Sequence, residues 1–185
     1  MILFSSCSKS DSNIIKNENV PTAAFKTYTI NAGAHFCNDN TFVPTSINEL
    51  KFIVKFDSSA IYSTADLNNQ DDINKLYGFA DNNTQHHQYS ARIGWRWSNN
   101  ALRLFGYIYN EGIVDSKELA PVAIGKENLC SIKSTAQNYI FSVNGITDSL
   151  PRKSTTVKAE GYKLYPYFGG DETAPHKITI LIKDL

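Results

Sequence analysis

Apolar and polar residues alternate along much of this chain, and the clearest alternation runs through residues 86–110, HHQYSARIGWRWSNNALRLFGYIYN. Tyr89, Ala91, Ile93, Trp95 and Trp97 hold odd positions, whereas Leu102, Leu104, Gly106 and Ile108 hold even ones, so the apolar phase flips at Ser98-Asn99-Asn100. A two-residue hairpin turn produces such a flip, and asparagine's tolerance of positive φ favours a type I′ turn at Asn99-Asn100. The register then sets Trp97 against Leu102 and Trp95 against Leu104 on one face. On the other face Arg96 meets Arg103, Gly94 meets Phe105, Arg92 meets Tyr107, and Ser90 meets Tyr109.

Other strands follow from the same period. Tyr162 and Leu164 alternate with Lys163 and Tyr165 as a strand with one buried face, and Ile178, Ile180 and Ile182 repeat the pattern after the corner Pro166-Tyr167-Phe168-Gly169-Gly170. Phe52, Val54 and Phe56 share one face of residues 50–56, with Lys51 and Lys55 on the other. Residues 25–30, 75–80, 113–114, 129–133 and 139–143 supply shorter strands, with a further stretch over 122–125. Turns are expected at Gly33, Glu111-Gly112 and Asn144-Gly145, a long polar loop over 57–72, and an exposed stretch over 153–158. No segment shows sustained helical periodicity. Many short strands without alternating helices predict an all-β antiparallel sandwich of the jelly-roll kind, its core including Phe52, Val54, Phe56, Ile93, Trp95, Trp97, Leu102, Leu104, Phe141, Ile178 and Ile180.

Composition narrows the functional classes. The 185 residues, 42% hydrophobic and 12% aromatic, suffice for one sizeable core. Eighteen basic residues balance eighteen acidic ones, so no global field recruits nucleic acid or an anionic membrane, and a charged ligand must be met locally. No apolar run is long enough for a membrane-spanning helix.

Leu3-Phe4-Ser5-Ser6-Cys7 resembles the lipobox of bacterial lipoproteins, in which the cysteine is lipidated. That resemblance implies lipidation at Cys7 and a signal remnant with a polar tether over residues 1–22, which leaves 23–185 for the single β-sandwich domain. It places the protein at a bacterial outer membrane, cell surface or periplasm, held to the membrane through a lipid anchor only. Export would let Cys37 and Cys130 pair; the alternative is two small buried hydrophobes.

The hairpin's second face carries the candidate chemistry. Arg96 and Arg103, directly opposed, repel, and so call for an anion or a carboxylate between them; Asp171 or Glu172 could serve. Arg92, Arg96, Arg103, Tyr107 and Tyr109 suit an acidic polysaccharide, because guanidinium groups fork onto carboxylates and aromatic rings stack on sugar faces. His176 is a further ligand-binding candidate. Packing beneath another strand, with each arginine paired internally, explains these residues equally well.

The stretches SARIGWRW, LRLFGYIYNEG, YIFSVNG and LYPYFGGDETAPHKITI resemble exported bacterial β-sandwich proteins of concanavalin-A-like form, which include glycan-binding modules, glucanases and polysaccharide lyases. The resemblance implies carbohydrate binding, with β-elimination of an acidic glycan or a structural, adhesive role as alternatives. In a lyase His86 or His87 would be the base and Tyr107 or Tyr167 the proton donor, with Arg92 and Arg96 on the carboxylate. His86 is expected on the Arg92 face and His87 on the core side. No cofactor and no metal cluster is expected, although the loop pairs Asp71-Asp72 and Asp171-Glu172 could bind Ca2+.

Overall fold

A computed structural model of the protein describes residues 24–185, and the alternating stretches are strands in it. They are β1 (Lys26–Ile30), β2 (Pro44–Ile47), β3 (Glu49–Phe56) and β4 (Asn74–Ala80). Next come β5 (Tyr89–Ser98), β6 (Ala101–Asn110), β7 (Ile113–Val122) and β8 (Glu127–Ser134). The last four are β9 (Asn138–Val143), β10 (Ile146–Pro151), β11 (Ala159–Leu164) and β12 (Ile178–Asp184). Helix is limited to two short 3-10 turns, Ser58–Ala60 and Leu67–Asp71. Two six-stranded antiparallel sheets result, ordered β1-β12-β3-β8-β9-β10 and β2-β11-β4-β5-β6-β7. This is a jelly-roll β-sandwich.

The hairpin register is the expected one: Arg96 pairs with Arg103, Gly94 with Phe105, Arg92 with Tyr107 and Trp95 with Leu104. Asn99 and Asn100 take φ of 51° and 56°, the left-handed values that let a two-residue turn follow the twist of its strands. The two inner faces close on one another through Phe56 and Trp95, with ring centroids 5.4 Å apart, and through Phe52 and Tyr77 at 5.1 Å. Every residue expected in the core is buried there except Trp97, which packs against its margin. Cys37 and Cys130 are both buried and are not bonded to each other.

Three expectations need correcting. Strand β7 is ten residues long where the sequence pattern showed only fragments, because its mostly exposed residues carry little apolar signal. The 153–158 stretch is not simply exposed: Ser154 within it is buried, and so is Arg152 just before it. The Arg152 and Asp81 side chains, 1% and 0% exposed, form an ion pair at 2.8 Å. Tyr139 donates to the same carboxylate at 2.6 Å. That pairing satisfies charges that would otherwise be costly to bury, and it anchors the start of the 81–88 loop. Finally, Tyr162 and Leu164 do not face the core. Leu164 pairs with Gly78, and Gly78 with Arg92, so both lie on the outer side of the sheet. Lys163 and Tyr165 turn inward instead, Lys163 over the Tyr77 ring and Tyr165 against Tyr28.

Candidate functional site on the outer face of the β2–β7 sheet

One row of residues crosses this face: Leu164 on β11, Gly78 on β4, Arg92 on β5, Tyr107 on β6 and Ser116 on β7. Arg92 is its centre. Its side chain is buried, with the residue 5% exposed. Its Nε has no hydrogen-bond partner, and none of the ion pairs among the described residues includes it. Burial pulls its pKa below the ordinary arginine value, opposed by the surrounding tyrosines, Tyr107 first. The guanidinium carbon lies 5.7 Å from the Tyr107 ring centroid. Room for it comes from Gly78, where a Cβ would stand 2.8 Å from Arg92 Cγ and 2.1 Å from the Ala91 carbonyl oxygen.

A second cation joins it. A bulge between Lys75 and Tyr77 breaks the period-two phase of β4 and puts Lys75 on the Arg92 face. Lys75 Nζ donates to the Ile73 carbonyl at 2.8 Å and lies 4.7 Å from the Tyr107 ring centroid. Burial, reinforced by Arg92, brings its pKa down to about 8. The corner supplies the space, since a Cβ on Gly169 would sit 2.6 Å from Lys75 Nζ. Tyr167 is held at this corner by backbone hydrogen bonds of 2.9 Å in both directions with Lys75. Its ring stacks on His35 at 5.2 Å and meets Phe36 edge-on at 5.0 Å.

The loop 81–88 forms the remaining wall. The Tyr162 hydroxyl accepts from the His86 amide at 3.1 Å and lies 2.9 Å from His86 Nδ1. Burial, then Arg92 and His87, lowers the His86 pKa to about 4, so the ring is neutral at pH 7. His87 is not on the core side. It lies beside His86, with ring centroids 4.2 Å apart, and against Tyr109 at 5.3 Å. Its pKa is also lowered, by burial first and then by Arg92 and Lys75.

These groups line two adjoining cavities that share Phe36, His86, Arg92 and Tyr167. One, of about 200 Å3, is otherwise walled largely by carbon from Phe42, Leu164, Tyr165 and Pro166. The other, of about 330 Å3, adds Lys75, His87, Tyr109 and Gly170. Neither is lined by an aspartate or a glutamate.

Of the residues expected from the sequence, His86, Arg92, Tyr109 and Tyr167 line these cavities, with Tyr107 packed beneath. Arg96 and Arg103 are not bridged by Asp171 or Glu172. Arg96 donates to the Asp71 carbonyl at 2.6 Å and pairs with its carboxylate at 3.5 Å, and Arg103 pairs with Glu118 at 2.7 Å. His176 lies elsewhere, its Nε2 donating to the Ser59 carbonyl at 2.8 Å. Glu172 instead accepts from the Ala65 and Asp66 amides and from Asn69. Among the described residues no group of three His, Cys, Asp or Glu side chains is placed to hold a metal ion. Cys7 and the 1–22 tether lie outside the described residues. Sequence reasoning missed Lys75, Tyr162, Phe36 and Phe42. The adjacent histidines flagged the loop, but nothing local signalled the bulge at Lys75.

No protein-family model matches this sequence, and no curated protein matches it. Solved structures do share its fold. Alginate lyase AlyC3 superposes with a TM-score of 0.57 at 11% identity, covering 87% of this chain and 74% of its own. Alginate lyase vAL-1 from Chlorella virus gives 0.51 at 12%, covering 86% and 82%. A glycoside hydrolase family 16 endo-glucanase from Bacteroides ovatus gives 0.55 at 12%, covering 88% and 81%. At such identities the likeness shows the jelly-roll fold.

Proposed function

We propose that this protein binds an acidic polysaccharide along the outer face of the β2–β7 sheet, seating a uronate carboxylate on Arg92. The observation that carries this reading is the buried Arg92 side chain, whose Nε has no hydrogen-bond partner and which enters no ion pair among the described residues. A charge held out of water without a counter-ion is costly, and an anionic ligand supplies the missing partner through a charge-assisted, forked contact. Lys75 adds a second positive charge, and Tyr109, Tyr162, Tyr167 and Phe36 offer rings for pyranose faces. That the fold is shared with enzymes named for alginate and glucan adds support.

Cleavage by β-elimination is a second reading, favoured by the His86 and Tyr162 pair. A neutral imidazole can take the proton beside the carboxylate, Arg92 and Lys75 can stabilise the charge that develops, and a phenol can protonate the leaving oxygen. The sequence LFSSC further supports an exported, lipid-anchored protein with Cys7 as the attachment point.

Affinity electrophoresis on alginate, polygalacturonate, hyaluronan and laminarin, run beside absorbance assays for an unsaturated uronate, tests both readings. Retention on acidic gels that is lost in Arg92→Met supports binding. Product that disappears in His86→Gln supports the lyase. Absence of both, with Arg92→Met changing only stability, leaves a structural or adhesive role.

A further inference from the structure

We infer that the polysaccharide taken by this groove carries isolated carboxylates, each next to a neutral sugar with an apolar substituent, rather than a carboxylate on every residue. The inference rests on Arg92 as the carboxylate seat. It follows from a count of uncommitted cations around that seat.

A polyuronate brings one anion per sugar, and each anion drawn out of water needs its own partner. The basic side chains around the groove are already answered. Asp71 holds Arg96 and Glu118 holds Arg103. Asp184 holds Lys163 at 2.8 Å, and Asp39 holds Lys26. Arg92 and Lys75 are left without an ion pair, Lys75 feeling only the weaker opposing charge of Asp72, and both line the same compartment of about 330 Å3. Together they serve one carboxylate. The formal net charge of zero gives no wider field to favour a polyanion.

The neighbouring compartment has the opposite character. Beyond Arg92 its only cation is Lys163, which is committed to Asp184, while Phe42, Leu164 and Pro166 present carbon. A carboxylate placed there would be desolvated without a partner, whereas the methyl of an acetamido group would bury apolar area. Phe36 and Phe42, 64% and 69% exposed, stand at the rim, Phe36 against Tyr167 and Phe42 against Tyr162, with their outer ring surfaces open to such a residue. An alternating chain of uronate and N-acetylated hexosamine matches one charged and one apolar compartment in sequence.

Isothermal titration of the full chain at fixed ionic strength tests this with four hexasaccharides. They are alternating glucuronate and N-acetylglucosamine, oligomannuronate, oligogalacturonate and neutral laminarihexaose, compared as Kd, or as kcat/KM where product forms. The alternating oligomer should bind at least about tenfold more tightly than either all-uronate oligomer. Phe42→Lys, a change at an exposed position that adds a cation beside the apolar compartment, should narrow that ratio. All-uronate oligomers binding as well as or better than the alternating one, still dependent on Arg92, would overturn this inference and leave the acidic-glycan reading intact. Binding of no acidic oligomer, or binding indifferent to Arg92→Met, would overturn both.

Discussion

Replacing Arg92 by methionine separates what the guanidinium does for folding from what it does for a ligand. Arg92 is 5% exposed and its Nε is unpartnered. An unpaired buried polar group costs about 1–3 kcal/mol on mutational scales. The contact with the Tyr107 ring returns about 0.5–2 kcal/mol, and Lys75 adds like-charge repulsion. Methionine keeps much of the apolar stem and removes all three effects. The variant should therefore be more stable than the parent by about 1 kcal/mol, which for a chain of this size raises Tm by about 2–4 °C. Binding should move the other way: losing a buried charge-assisted contact costs about 2 kcal/mol or more, a loss of at least about 30-fold in affinity. Calorimetric unfolding and titration with an acidic oligosaccharide read both. A fall in Tm of several degrees with unchanged affinity would refute the reasoning and make Arg92 a structural residue.

Gly78→Ala places a methyl 2.1 Å from a backbone carbonyl oxygen, so denaturant titration should show a loss of at least about 1–3 kcal/mol. Burial alone would raise the Asp81 pKa, but hydrogen bonds from Arg152 and Tyr139 outweigh it and hold the carboxyl below its ordinary value. The stability it contributes is present above the unfolded carboxyl pKa and is lost as pH falls below about 4; Arg152→Ala should cost about 3–5 kcal/mol at pH 7 by stranding the carboxylate, as urea titrations across pH would show. Nuclear magnetic resonance titration should find His86 neutral down to about pH 4, with the pKa moving up in Arg92→Met as a neighbouring positive charge is removed. The unfolded chain binds the His86 proton nearer pH 6.5, so this residue lowers stability as pH falls from that value towards 4, and His86→Gln should flatten the slope.

Local alternation was enough to place the β5–β6 hairpin residue for residue, because the phase flip at Asn99-Asn100 admits one register with both tryptophans on the buried side. The same signal located β3, β8, β9, β11 and β12. It failed for β2, for β10 and for most of β7, where short or exposed strands need no apolar face.

By itself, then, the sequence determined an antiparallel sandwich, most of its core, and the strand that puts Arg92 opposite Tyr107. Alternation tells which residues share a side of a strand, but not what covers that side, so only the tertiary structure decided that Leu164 and Tyr162 face the groove while Lys163 and Tyr165 turn inward. Nor does it tell which charges meet. Asp71, Glu118 and Asp184 reach Arg96, Arg103 and Lys163 from other strands and loops, and a one-residue bulge sets Lys75 beside Arg92. Those long-range pairings are what leave Arg92 and Lys75 as the uncommitted cations of the groove, and no local pattern encodes them.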